Sequence, residues 1–134
     1  RDTAKMSETE AEAFVLSLLK KLTTVCKGQI VVTGIGLPGG IVANAGRDAD
    51  GRIFWVKRAC QDISYPGTGD IFASVLLGAL MQGDSFEVAC TRAADFIVLL
   101  IRESEKSDTP VRMGVALEAH LDAIKKKETI RRRL

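Results

Sequence analysis

The 134-residue sequence contains few of the residues that build metal centres and disulfide frameworks, with only three cysteines and one histidine. Because Cys26, Cys60 and Cys90 are odd in number and widely spaced, the sequence offers no metal-ligand pair and favours reduced thiols in a cytoplasmic protein. His120 lies in a predicted helix and is interpreted as an ordinary helix residue rather than as a catalytic base. No residue is therefore assigned as a metal ligand.

Long apolar runs and a strong charge imbalance are also missing. No run of about 18 apolar residues occurs, so no membrane span is expected, and the first residues contain no apolar signal core. The net charge of +2 is too small to indicate a nucleic-acid partner. With 46% hydrophobic and 27% charged residues, the composition is typical of one compact domain, assigned to residues 1–134.

The apolar periodicity predicts a mixed α/β chain with the element order α-β-β-β-α-α-α. Ser7 and Glu10 form a capping-box pattern before a helix that continues to about Val25. A short apolar strand follows at 30–32, and two alternating segments around the turn at 48–51 predict a β-hairpin. The rest of the pattern predicts a polar loop over 103–110 and helices over 71–82, 86–100 and 114–127.

The stretch from Gly34 to Gly39 fits the dinucleotide-binding pattern G-x-G-x-x-G. A dinucleotide site needs a helix to begin there, whereas this sequence continues as a hairpin, so the NAD hypothesis is rejected. Thr33 and Gly34 are instead placed at the carboxyl end of the strand at 30–32, where α/β sheets bind ligands. The alternative is that Thr33 caps the strand and Gly34 only turns the chain.

The strongest functional signal is a glycine-rich turn, 65–70, that leads directly into an apolar helix. Free N–H groups and the positive end of the helix dipole would favour a phosphate above Gly67, Thr68 and Gly69. Asp70, in the first helical turn, could take a proton from an attacking hydroxyl. The alternative is a plain capped helix start, since Gly and Asp are both common there.

The stretch Pro66–Ala73 closely resembles the anion-hole motif of the ribokinase-like (PfkB) superfamily, and its Gly-Thr-Gly-Asp form is most similar to the pyridoxal and pyridoxamine kinases. Sugar kinases usually carry a small residue where Thr68 stands, and hydroxymethylpyrimidine kinases a cysteine where Asp70 stands. The resemblance extends from about Ser7 to Met113. It implies the C-terminal half of a three-layer α/β/α ribokinase-like fold with a short β-hairpin. The N-terminal half, with its vitamin-binding residues and its Asn-x-x-Glu-type motif, is expected to lie outside these residues.

The resemblance also implies the chemistry: phosphorylation of the 5′-hydroxyl of a B6 vitamer by ATP with Mg²⁺. Asp70 would be the base, and Gly67, Thr68 and Gly69 would hold the transferring phosphate, with the Thr68 hydroxyl donating to a phosphate oxygen. These 134 residues alone are expected to be inactive.

For the nucleotide, the resemblance implies a site lined by Thr33, Gly34 and Tyr65; the alternative for Tyr65, which the sequence favours slightly, is a tyrosine packed in a turn. The expected partners are ATP and a small-molecule alcohol, and the open sheet edge predicts a homo-oligomer, most simply a dimer. Two alternatives are a sugar or nucleoside kinase of the same superfamily, and a non-catalytic domain that binds a nucleotide or self-associates.

Overall fold

The computed structural model describes residues 2–60, 65–106, 117 and 121–124. In chain order it contains a short 3-10 helix (Thr3–Lys5), α1 (Glu8–Leu22), β1 (Ile30–Leu37), β2 (Ile41–Arg47), β3 (Ile53–Ala59), α2 (Thr68–Met81) and α3 (Phe86–Lys106). Of the last predicted helix, over 114–127, only Leu117 and 121–124 are described, and 122–124 are helical. His120 lies outside the described residues.

The three strands form one antiparallel sheet in the order β1-β2-β3. The predicted hairpin turn at 48–51 is confirmed, since the Asp48 N–H donates to the Arg52 carbonyl at 3.0 Å. β1 is longer than the predicted strand at 30–32 because it continues to Leu37 and turns into β2 through Pro38–Gly40. No helix begins where a dinucleotide site would need one, which agrees with the rejection of that hypothesis.

Helices cover both faces of the sheet. α1 packs on one face through Ala11, Val15 and Leu19, each at most 1% exposed. α2 and α3 pack on the other face, around Phe54 and Val56 of β3. Because side chains alternate between the two faces of a strand, successive apolar residues of β3 pack in turn against the α1 layer and against the layer of α2 and α3. The described residues thus form the predicted three-layer α/β/α arrangement.

The start of α1 follows the predicted capping signal. The Ser7 hydroxyl accepts a hydrogen bond from the Glu10 N–H at 3.2 Å. The helix ends at Leu22, earlier than the predicted Val25, because the N–H groups of Thr24 and Val25 donate to carbonyls only three residues back, those of Lys21 and Leu22.

The start of α3 also follows its predicted cap, but its end lies beyond the prediction. The Ser85 hydroxyl accepts from the Val88 N–H at 3.3 Å. The helix runs through the polar sequence after Glu103, where a loop is predicted, and reaches Lys106. Ser104 explains part of this, since it is fully buried and its hydroxyl donates to the Leu100 carbonyl at 2.7 Å. Among the described residues, no helix is both long and apolar enough to cross a bilayer.

Candidate anion and nucleotide site

The start of α2 presents backbone N–H groups without a side-chain cap. Gly67 is the N-cap residue, with φ of +84°, a conformation that glycine adopts readily, and no side chain caps the helix. The first backbone bond of the helix runs from the Ile71 N–H to the Gly67 carbonyl at 3.1 Å. The N–H groups of 68–70 therefore precede the helical ladder, and together with the helix dipole they favour an anion.

A cavity of about 90 Å³ lies beside this helix start. It brings together four residues that the sequence predicts to bind phosphate or nucleotide: Thr33, Gly34, Thr68 and Gly69. The other lining residues, mostly apolar, come from β2, β3, α2, α3 and the end of the sheet: Val42, Asn44, Arg58, Cys60, Phe72, Ala94, Ile97, Val98 and Ile101. The polar groups thus lie together against a largely apolar surface, which is typical of small-ligand sites.

Thr33 and Gly34 reach the cavity from a different position than predicted. The prediction that they end a strand is wrong, because they lie inside β1 at a register irregularity between Val32 and Ile35. Gly34 has φ of +67°, and this conformation lets the strand bulge and then continue. The bulge leaves both residues exposed at the cavity.

The Thr68 hydroxyl has a protein partner. It donates to the Tyr65 carbonyl at 3.2 Å, so it would have to leave that oxygen before it could donate to a phosphate. The ring of Tyr65 packs with Cys60, Val98 and Ile101, and the residue is only 4% exposed. Tyr65 does not line the cavity. Its geometry therefore agrees with the packed-tyrosine alternative, and its predicted contact with a nucleotide remains a prediction.

Asp70 is exposed in the first turn of α2 but lies on another side of the helix start. It lines a second cavity, of about 320 Å³, formed with α3 and the described residues near the C-terminus. Other residues around this cavity include Ser74, Arg92 and Leu121. Thr68 and Gly69 thus line one cavity at this helix start, and Asp70 lines the other.

Two polar residues of the cavity were missed by the sequence analysis. Asn44 is 6% exposed, and its Oδ1 accepts from the Gly34 N–H at 3.2 Å. Arg58 pairs through Nε with an Asp95 carboxylate oxygen at 2.6 Å. Asn44 could have been found from its sequence context, since it is a polar residue between two alanines in a predicted strand. A polar side chain that is buried in a sheet needs a hydrogen-bond partner, which marks such a residue for inspection. Arg58 has no such signal, because its partner is 37 residues away.

Within the described part of the chain, no group of three or more His, Cys, Asp or Glu side chains lies close enough together to hold a metal ion.

No protein-family model and no curated protein matches this sequence. Solved structures do match, and they include phosphomethylpyrimidine and pyridoxal kinases, which are of the ribokinase-like superfamily. One is a protein from Bacteroides thetaiotaomicron assigned as a phosphomethylpyrimidine kinase, with 29% identity, a TM-score of 0.77, and coverage of 85% of this chain and 40% of that one. An orthorhombic crystal form of a protein of the same description and organism, with pyridoxal, has 28% identity and a TM-score of 0.79. The match covers 91% of this chain and 42% of that one. Pyridoxal kinase from Lactobacillus plantarum has 27% identity and a TM-score of 0.65, and the match covers 75% of this chain and 36% of that one.

These likenesses identify the fold class. The mixed α/β architecture is part of the ribokinase-like kinase fold, as the sequence predicts. The chain spans only about two fifths of the length of the solved structures that it matches, from 36% to 42%.

Proposed function

We propose that this chain provides the phosphate- and nucleotide-binding part of an ATP-dependent kinase whose acceptor is the 5′-hydroxyl of a B6 vitamer. One observation carries the proposal: the uncapped, glycine-rich start of α2 shares a cavity with Thr33 and Gly34. The similarity to solved kinase structures, at 27–29% identity, also supports a kinase function.

The proposed roles follow from the geometry of the turn. The N–H groups of Thr68, Gly69 and Asp70 would hold the transferring phosphate, where the helix dipole stabilises developing negative charge. The Asp70 carboxylate, exposed at the same helix start, would accept the proton of the attacking alcohol. When bound, magnesium would neutralise phosphate charge. Most of the rate would come from holding the two reactants in line, as in other phosphoryl transfers.

The choice of a B6 vitamer rests on the sequence of the turn and on two of the matched structures. The turn has threonine at 68 and aspartate at 70, and this Gly-Thr-Gly-Asp form resembles that of the pyridoxal and pyridoxamine kinases. One of the matched structures contains pyridoxal, and another is a pyridoxal kinase. We also propose that the site for the alcohol depends on parts of the kinase fold that the matched structures have and these residues do not.

The test is an ADP-release assay on the complete gene product, with pyridoxal, pyridoxamine, pyridoxine, hydroxymethylpyrimidine and a sugar as acceptors. We expect turnover with a B6 vitamer and a loss of roughly 10²- to 10⁴-fold in Asp70→Asn, because a general base is removed. Asp50→Asn is the matched control, since it removes the same charge from an exposed hairpin turn.

The possible results separate the alternatives. Turnover with a sugar alone would replace the vitamer by the sugar-kinase alternative. Nucleotide binding without any turnover would favour the non-catalytic alternative. An Asp70→Asn variant that keeps more than half of the rate would remove Asp70 from the reaction.

A further inference from the structure

A buried amide lies beneath the polar wall of the cavity. Asn44 is on β2 between Ala43 and Ala45, which are both fully buried, and it is itself 6% exposed. The alternation of β2 places its side chain on the face that α2 and α3 cover, and it lines the cavity. A polar side chain at this depth needs a hydrogen-bond partner to offset the loss of water.

Its partner is the bulge in β1. Val32 pairs with Ala45 and Ile35 pairs with Ala43, so two residues, Thr33 and Gly34, stand opposite the single residue Asn44. A bulge of this kind leaves an extra residue out of the backbone ladder. The Asn44 Oδ1 accepts the Gly34 N–H at 3.2 Å and so takes the place of the missing ladder acceptor.

The bulge also sets which face each half of β1 presents. Val32 and Ile35 both pack toward α1, although residues three apart in a regular strand face opposite sides. Without the extra residue, one half of β1 would turn its apolar side chains to the wrong face. The position of Thr33 at the cavity is therefore tied to the conformation of the bulge.

We propose that Asn44 is a positioning residue for the phosphate site: its side-chain amide fixes the β1 bulge and thereby holds Thr33 and Gly34 at the cavity that they share with the start of α2. The identity of the ligand rests on the proposed function. The role of Asn44 in fixing the bulge does not depend on the proposed function.

The test compares three variants of the 134-residue chain. Asn44→Ala removes the acceptor. Asn44→Asp keeps an acceptor oxygen but adds a negative charge at the cavity. Thr3→Val is the matched control, because the Thr3 hydroxyl also donates to the β1 backbone, at the Gly36 carbonyl 2.7 Å away, but does not line the cavity.

Two measurements are made on each variant: amide hydrogen exchange at Gly34 by NMR without ligand, and the affinity for magnesium ADP and for inorganic phosphate by calorimetry. In Asn44→Ala we expect exchange at Gly34 to be about three- to tenfold faster and both affinities to fall by a similar factor, from the loss of one hydrogen bond. In Asn44→Asp we expect exchange near the wild-type rate but weaker binding that depends on salt. Thr3→Val should change neither quantity.

Unchanged exchange at Gly34 in Asn44→Ala would overturn the fixing of the bulge. Faster exchange with unchanged affinities would overturn the positioning role. A wild-type chain that binds neither ligand overturns the proposed function and the positioning role with it, while the exchange rate still decides whether Asn44 fixes the bulge. If Asn44→Ala does not fold, Asn44→Asp decides: fast exchange at Gly34 despite the retained acceptor would overturn the proposal.

Discussion

Gly67 and Gly69 lie two residues apart at the start of α2, and alanine at these two positions should change stability in opposite directions. Gly67 has φ of +84°, and an added Cβ would meet no atom within 4 Å. The cost of Gly67→Ala is therefore backbone strain without a clash, about 1–2 kcal/mol for an L-residue in the left-handed region. An added Cβ at Gly69 also meets no atom within 4 Å, and its φ is not positive.

Gly69→Ala should therefore stabilise the chain. Alanine in a helix is favoured over glycine by roughly 0.5–1 kcal/mol, because glycine loses more backbone freedom on folding. The two variants add the same methyl group but should differ in unfolding free energy by about 1.5–3 kcal/mol.

The assay is urea denaturation followed by circular dichroism, on both variants and the wild-type chain. The denaturation midpoint should fall for Gly67→Ala and rise for Gly69→Ala, with the slope unchanged. A Gly67→Ala variant whose midpoint does not fall would contradict the left-handed conformation at Gly67, and with it the geometry of the anion-binding turn.

Two further predictions concern a cap and the thiols. Ser7→Ala should lower the unfolding free energy by about 1 kcal/mol, measured by the same denaturation, because it removes the acceptor for the Glu10 N–H. Burial, with a smaller contribution from Glu87, raises the pKa of the Cys90 thiol from 9.0 to about 12. A thiol reagent at pH 8 should therefore label the exposed Cys26 quickly and Cys90 only on unfolding. As the pH rises, the Cys90 thiol ionises in the unfolded chain before it ionises in the folded chain. The contribution of this thiol to the unfolding free energy is therefore fully present below pH 9.0 and is lost as the pH rises toward 12. Labelling of Cys90 at the rate of Cys26, or a Cys90→Ala variant with the same loss of stability above pH 9.0 as the wild type, would contradict its burial.

The parts of the fold that depend on local signals could be predicted from the sequence. Ser7 begins a helix because its hydroxyl satisfies an N–H three residues away, and the hairpin at 48–51 depends on turn residues within it. The apolar periodicity after Asp70 correctly predicts α2, because helix and strand periods differ over a stretch of this length.

The features that depend on distant contacts could not be predicted. The bulge at Gly34 needs an acceptor from Asn44, ten residues away, and a glycine-rich sequence is equally compatible with the end of a strand. Tyr65 is buried because α3 supplies Val98 and Ile101, a contact that no pattern around Tyr65 contains. The sequence alone therefore predicts α2 better than it predicts the position of Thr33 and Gly34 within β1.

The most direct test of the proposed phosphate site is a titration of the ¹⁵N-labelled 134-residue chain with magnesium ADP, followed by backbone amide chemical shifts. We predict saturable shifts at Thr33 and Gly34 and at the N–H groups of 68–70, because the cavity and the uncapped helix start adjoin each other. Amides of the hairpin turn at 48–51 should not shift. Shifts absent from 68–70 at saturation, or confined to another surface, would contradict the assignment of this turn as a phosphate site.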